Sequence, residues 1–191
     1  MTAVEADALD QEQGEGREVK KEEKRIESSQ AAIEATARVI EATLGKSKAF
    51  RKVEERLYVV RQGSAYVMIV IVPADRRRAI VRLAAQVVTG IEMTGELALR
   101  LLRLNTRLRF GAFGYQKEGK VVTLCHSVLG GETLDPEELV AALEDMAMLA
   151  DEYDDKLVKA GGGHRMQDLL EDEAAASLRS QVWDAGTEWD E

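Results

Sequence analysis

The stretch "LNTRLRFGAFGY", Leu104 to Tyr115, decides the fold. It holds two glycines and two phenylalanines framed by arginines. One reading is a glycine-rich loop around a phosphate; the other is a strand whose glycines allow close backbone contact. A phosphate cradle sets its glycines between a strand and the N-terminus of a helix. Here the order is reversed. Leu97, Leu101, Leu104 and Leu108 recur at helical spacing up to and into the start of the stretch, with Thr94 as N-cap. After it come "QKEGK", a turn, and "KVVTLCHSVLG", a run of β-formers. In an extended chain Leu108, Phe110, Ala112 and Gly114 share one face, and Arg109, Gly111, Phe113 and Tyr115 the other. The stretch therefore opens a β-hairpin, and its glycines mark a bulge, a bend or a close approach.

Upstream, "ERLYVVRQGSAYVMIVIVP" places two β-rich runs, Leu57 to Arg61 and Ala65 to Val72, on either side of "QGS". That is a hairpin signal, and Pro73 closes the second run. "AIVRLAAQVVTG", from Ala79 to Gly90, reads as a third strand, with a helix as the alternative. Earlier still, Ile26, Ile33, Ala37, Ile40 and Leu44 form one apolar stripe that Gly45 ends, which predicts a helix over 29–44. Downstream, Asp135 stands as N-cap, Pro136 at the first helical position and Glu138 two further on, the pattern of a capping box. Leu139, Leu143, Met146, Leu149, Ala150, Tyr153 and Leu157 continue as an apolar face until Gly161 to Gly163 stop it. The fold class is α+β: a two-layer domain with a twisted antiparallel sheet, helices on one face, and the order α-β-β-β-α-β-β-α. We divide the chain into a charged, disordered tail (1–28), the α+β domain (29–163) and an acidic tail (164–191) that is helical in part.

Composition narrows the function. The 191 residues are 45% hydrophobic, enough for a real core. The lone cysteine, Cys125, excludes an internal disulfide and a cysteine-based zinc site. No apolar run is long enough for a membrane helix, and the start is acidic rather than leader-like. A cytoplasmic protein is expected. The net charge of −9 sits at the ends: residues 1–28 carry −4, residues 165–191 carry −6, and the middle +1. That distribution argues against nucleic acid as the partner.

Several groupings tempt a chemical reading. Cys125 and His126 look like a nucleophile beside its base, but neighbours in a strand point to opposite faces. Asp151, Glu152, Asp154 and Asp155 could do acid–base work in a cleft; a solvated helix face with Tyr153 beneath it is favoured, and a carboxylate- or metal-dependent enzyme stays as the second alternative. Arg100, Arg103 and Arg107 recur along one helix, with Arg76, Arg77 and Arg78 elsewhere. No aromatics interleave with them as single-strand nucleic-acid binding requires. A solvated face or a seat for an acidic segment is favoured.

Three motifs together carry a resemblance: "LNTRLRFGAFGY" (104–115), "HSVLGGETLDPEEL" (126–139) and "ADEYDDKLVKAGGG" (150–163). They resemble the YbjN-like proteins and the CesT-type chaperones of type III secretion, over roughly residues 29–163. The chain departs from the pattern at Arg109, where the family often has a proline. The resemblance implies a twisted antiparallel sheet with helices on one face, often a homodimer, which holds a partly unfolded polypeptide without catalysis. It implies no cofactor, and it offers no catalytic residues to carry over.

One feature of the residues agrees independently. "AYVMIVIV" is apolar at odd and even positions alike, whereas a strand with one wet face alternates. A second subunit, a tail or a bound chain must cover what the helices do not. A purely structural dimer is the first alternative to a client-binding protein. The candidate contact residues are Tyr66, Met68 and Val70 on that run, Arg100, Leu101 and Arg103 on the second helix, and Trp183 and Trp189 in the acidic tail. The two tryptophans stand beside Leu178 and Val182 among acids, as aromatic anchors of a docking segment would.

Overall fold

The structure is a computed structural model that describes residues 29–74 and 78–170. The expectations for 1–28, for Arg76 and Arg77, and for Trp183 and Trp189 lie outside the described residues. Helix α1 covers 29–44. Strands β1 (Phe50–Glu54), β2 (Leu57–Gln62), β3 (Ala65–Pro73) and β4 (Ala79–Thr89) follow. Then come α2 (Gly95–Asn105), β5 (Ala112–Gln116), β6 (Val121–Leu129), α3 (Pro136–Gly161) and β7 (His164–Arg165). Every strand pairing is antiparallel, in the order β1-β2-β3-β4-β6-β5, and β7 pairs with β4. The α+β class and the helix–sheet layering are as the sequence predicts.

Register sorts the side chains. Tyr58, Ile69 and Leu83 stand opposite one another across β2, β3 and β4, as do Val60, Val67, Ala85 and Leu124 across four strands. Most of these are fully buried and make the core together with Ile33 and Ile40 of α1 and Leu139, Leu143 and Met146 of α3. Helix α3 lies across β2, β3, β4 and β6. Each fully buried leucine or isoleucine here contributes about 2 kcal/mol through apolar area removed from water. Helix α1 is tied down by polar contacts. The buried Thr36 hydroxyl accepts from the Gly131 N–H at 2.7 Å, and Tyr58 donates to Glu41 at 2.9 Å. Burial, and then that hydrogen bond, push the Tyr58 hydroxyl above its ordinary value, so it stays protonated.

Both main helices begin as their sequences dictate. Thr94 accepts from the Leu97 N–H at 3.2 Å, and Asp135 from the Glu137 N–H at 2.8 Å with Pro136 behind it. Asp135→Ala is expected to destabilise the domain by about 0.5–2 kcal/mol, because the first turn of α3 loses its acceptor. A urea midpoint equal to that of the parent would place the start of the helix elsewhere.

The structure corrects three details. First, β1 stands ahead of the predicted hairpin. Its sequence, "FRKVE", has no alternation to detect, and all but Phe50 is exposed at the sheet edge, where charged residues deter pairing with other chains. Second, β5 starts at Ala112 rather than Leu108. Gly111 has φ +74°, and a Cβ there would sit 3.1 Å from the Cys125 carbonyl oxygen. This turn breaks the alternation, so Phe110 and Phe113 both face the helices: Phe110 packs edge-on to His126, and Phe113 is buried against Tyr153. Third, the acidic cluster on α3 is not a uniformly solvated face. Asp154 is only 6% exposed, and Ser64, in the β2–β3 turn, donates to it at 2.9 Å and also to Asp151. The Ser64 N–H donates to Asp151 at 3.0 Å. Glu152 pairs with Lys156 at 2.6 Å and Asp155 with Arg165 at 3.1 Å. The carboxylates therefore separate into individual partnerships, two of which clamp the hairpin turn to the helix.

That clamp has a pH signature. The hydrogen bonds from Ser64 hold the Asp151 carboxyl below its ordinary value. A lowered folded-state pKa contributes stability above the unfolded value, about 3.9, and loses it as pH falls through the folded value. The stability gap between the parent and Asp151→Asn is therefore expected to be widest near neutrality and to shrink below about pH 4. Urea unfolding at a series of pH values measures it; a gap independent of pH would contradict the clamp.

Candidate functional site

The helices leave one face of the sheet open. On β3, Tyr66, Met68, Val70 and Val72 alternate with the buried residues and point to this face. Their neighbours follow from the pairing. One row runs Arg51, Val59, Met68, Ala84, Cys125, Ala112 from edge to edge. The next runs Leu57, Val70, Arg82, Ser127, and a third Val72, Ile80, Leu129. Apart from Arg51 and Arg82 at single positions, these rows are apolar or small. Val72 is 38% exposed and Leu129 56%. Tyr66 lies at the hairpin end, with the Arg61 guanidinium 5.4 Å from its ring centre. The surface runs along the strands and is apolar in its middle, which suits an extended chain laid across it.

The second surface is on the helix side. Between α2 and α3 lies a groove of about 300 Å³. Its floor is Leu97, Leu101, Leu104, Tyr153, Leu157 and Ala160; its rim is Arg100, Arg103, Arg107 and Lys156. Spacing explains the division. Leu97, Leu101 and Leu104 fall on one stripe of α2, and the three arginines fall on the flank beside it. Among the described residues, no carboxylate stands within ion-pair distance of Arg100, Arg103 or Arg107. Lys156 lies 4.5 Å from the centre of the Tyr153 ring. Leu99 and Leu102 face outward on α2, 55% and 61% exposed.

The sequence-derived contact residues thus fall into two sets. Tyr66, Met68 and Val70 gather on the open sheet face; Arg100, Leu101 and Arg103 gather at the groove. The two sets lie in opposite layers. Sequence reasoning missed Val59, Ile80 and Leu129 as members of the open face. Their signal was the strand period itself, since each stands opposite an open-face residue of the neighbouring strand.

The remaining groupings resolve geometrically. Cys125 points to the open face, with its sulfur 3.7 Å from the Thr123 hydroxyl, while the His126 Nδ1 accepts from the Gly111 N–H at 3.2 Å on the helix side. They diverge, as neighbours in a strand must. Arg109, where the resembled pattern has proline, pairs with the buried Asp145 of α3. Arg165 pairs with Asp168 at 2.6 Å and with Asp155, and this fixes the start of the segment that leaves α3. No helix among the described residues is long and apolar enough to cross a membrane.

Comparison with known proteins agrees with this geometry. No curated protein matches the sequence. A solved structure similar in fold is the crystal structure of the ExsC-ExsE complex. It shares 18% identity over 65% of this chain and 95% of that chain, with a TM-score of 0.51. The family model for "T3SS (YopN, CesT) and YbjN peptide-binding chaperone 1" matches residues 30–169. That span includes both main helices, every strand, the open sheet face and the groove, so the chain belongs to this family of peptide-binding chaperones.

Proposed function

We propose that the protein is a non-enzymatic chaperone or adaptor that holds an extended, apolar segment of a client polypeptide on the open face of its sheet. The observation that carries the reading is the apolar patch of Val59, Met68, Val70, Val72, Ile80 and Leu129, half-buried to exposed, on the sheet face opposite the one that the helices cover. Apolar contact supplies the affinity. The similar fold of the ExsC-ExsE structure, itself a complex, supports this. The proposal includes a homodimer, for which the outward Leu99 and Leu102 of α2 offer an apolar seam away from the sheet face. It also takes the site of action to be the cytoplasm, where a free thiol such as Cys125 stays reduced.

A structural subunit without a client is the competing reading, since a second copy could cover the same apolar rows. Light-scattering mass, measured with and without a hydrophobic dye, separates them. The chaperone reading expects a dimer that binds dye, and an apolar extended peptide that displaces it. A dimer that binds no dye has consumed its apolar face in assembly and favours the structural subunit.

A further inference from the structure

We propose that residues 171–191 of this chain dock in the groove between α2 and α3. The groove has an apolar floor and a rim of four cations, and the three arginines on its α2 side have no carboxylate partner among the described residues. Segment 171–191 is its chemical complement. It carries seven acids against the single base Arg179, and its apolar residues Leu178, Val182 and Trp183 recur at helical spacing. Its acids stand on both sides of these residues in sequence, at 171–173 and from Asp184 onward, and a cation-rimmed apolar trough receives such a combination of charge and apolar side chains.

Where the described chain ends places the segment within reach. Arg165 is bonded to Asp155 and Asp168, so residue 170 departs from beside the last turns of α3. Lys156, on the groove rim, is the next residue after Asp155. To reach the groove the segment must cross α3, about 10–12 Å across with its side chains. A few extended residues at about 3.3–3.6 Å each suffice, which leaves the Leu178–Trp183 stretch to lie along the trough. The attachment is intramolecular, so even a weak contact is sustained by high effective concentration. Ionic attraction across the rim is screened by salt, while the apolar contact is not.

Tryptophan emission of the full chain is the test, because Trp183 and Trp189 are the only tryptophans and both lie in the segment. Docking is expected to give blue-shifted emission that resists acrylamide, and a synthetic 171–191 peptide supplies the water-exposed reference. Combined Arg100→Glu, Arg103→Glu and Arg107→Glu is expected to raise quenching several-fold toward that reference. Leu178→Asp with Val182→Asp, which leaves the domain untouched, is expected to do the same. Circular dichroism checks that the arginine variant stays folded. Water-like, fully quenchable emission in the parent would overturn the proposal. So would protection that both variants leave unchanged, or protection that grows with protein concentration, which would assign the groove to a second copy.

Discussion

Gly163→Val is expected to lower the stability of the domain by about 3 kcal/mol or more. Two independent costs meet at this position. Its φ is +92°, a conformation that a β-branched residue scarcely adopts, and a Cβ there would lie 2.4 Å from the Thr89 carbonyl oxygen and 3.0 Å from the Ile91 nitrogen. All of these are backbone atoms, so no side chain can swing aside. The contact exists because β7 pairs back on β4, His164 with Thr89 and Arg165 with Val88. The triple glycine therefore does more than stop α3: it lets the chain turn against the end of the central strand. Urea unfolding measures the effect. A midpoint shift no larger than that of a surface substitution would mean that β7 is not seated on β4.

The second large effect concerns binding rather than folding. Val70→Glu is expected to leave the fold nearly intact and to weaken polypeptide binding at least tenfold. Val70 stands directly opposite Arg82 on the open face, so the new carboxylate gains a cross-strand partner worth about 0.2–1 kcal/mol. Under a bound apolar segment, the same pair would have to be desolvated. That penalty reaches several kcal/mol per ion, and about 1.4 kcal/mol already equals a tenfold loss. Titration of a labelled apolar peptide into the parent and the variant, with melting curves as control, gives both numbers. Unchanged affinity would move the binding surface off the sheet.

Much of this architecture is legible from residue spacing. The stripe from Ile33 to Leu44, the glycine-centred turn before Ala65, Thr94 and Asp135 as caps, and the hairpin around "QKEGK" are all local signals, and each locates an element of the structure. What stayed hidden depends on contacts between distant residues. Strand β1 is held by its pairing to β2 and stacks Phe50 on Tyr58, while its own residues read as solvent-exposed sequence. The turn at Gly111 is imposed by the Cys125 carbonyl on the partner strand, so strict alternation misplaced Phe110 relative to Phe113. The α3 carboxylates looked like one solvated patch because Ser64, the partner of Asp151 and Asp154, is 87 and 90 residues away from them in sequence. For the site, the doubly apolar β3 announced that both faces are in demand. Only the helix layer determined which face remains uncovered, and only the placement of α3 beside α2 turned the leucine stripe and its arginine flank into the floor and rim of one groove.

The central claim is that the open sheet face, at Val70, holds a polypeptide other than the chain itself. The most direct measurement is photo-cross-linking in the native cell, with a benzophenone side chain at position 70 of the full-length protein and, as control, at Met148, which is 54% exposed on α3. The expected result is an adduct from position 70 whose added mass and sequence belong to a different polypeptide, with position 148 giving none of it. Adducts from position 70 that join only two copies of this chain would show the face to be a dimer interface and contradict the account.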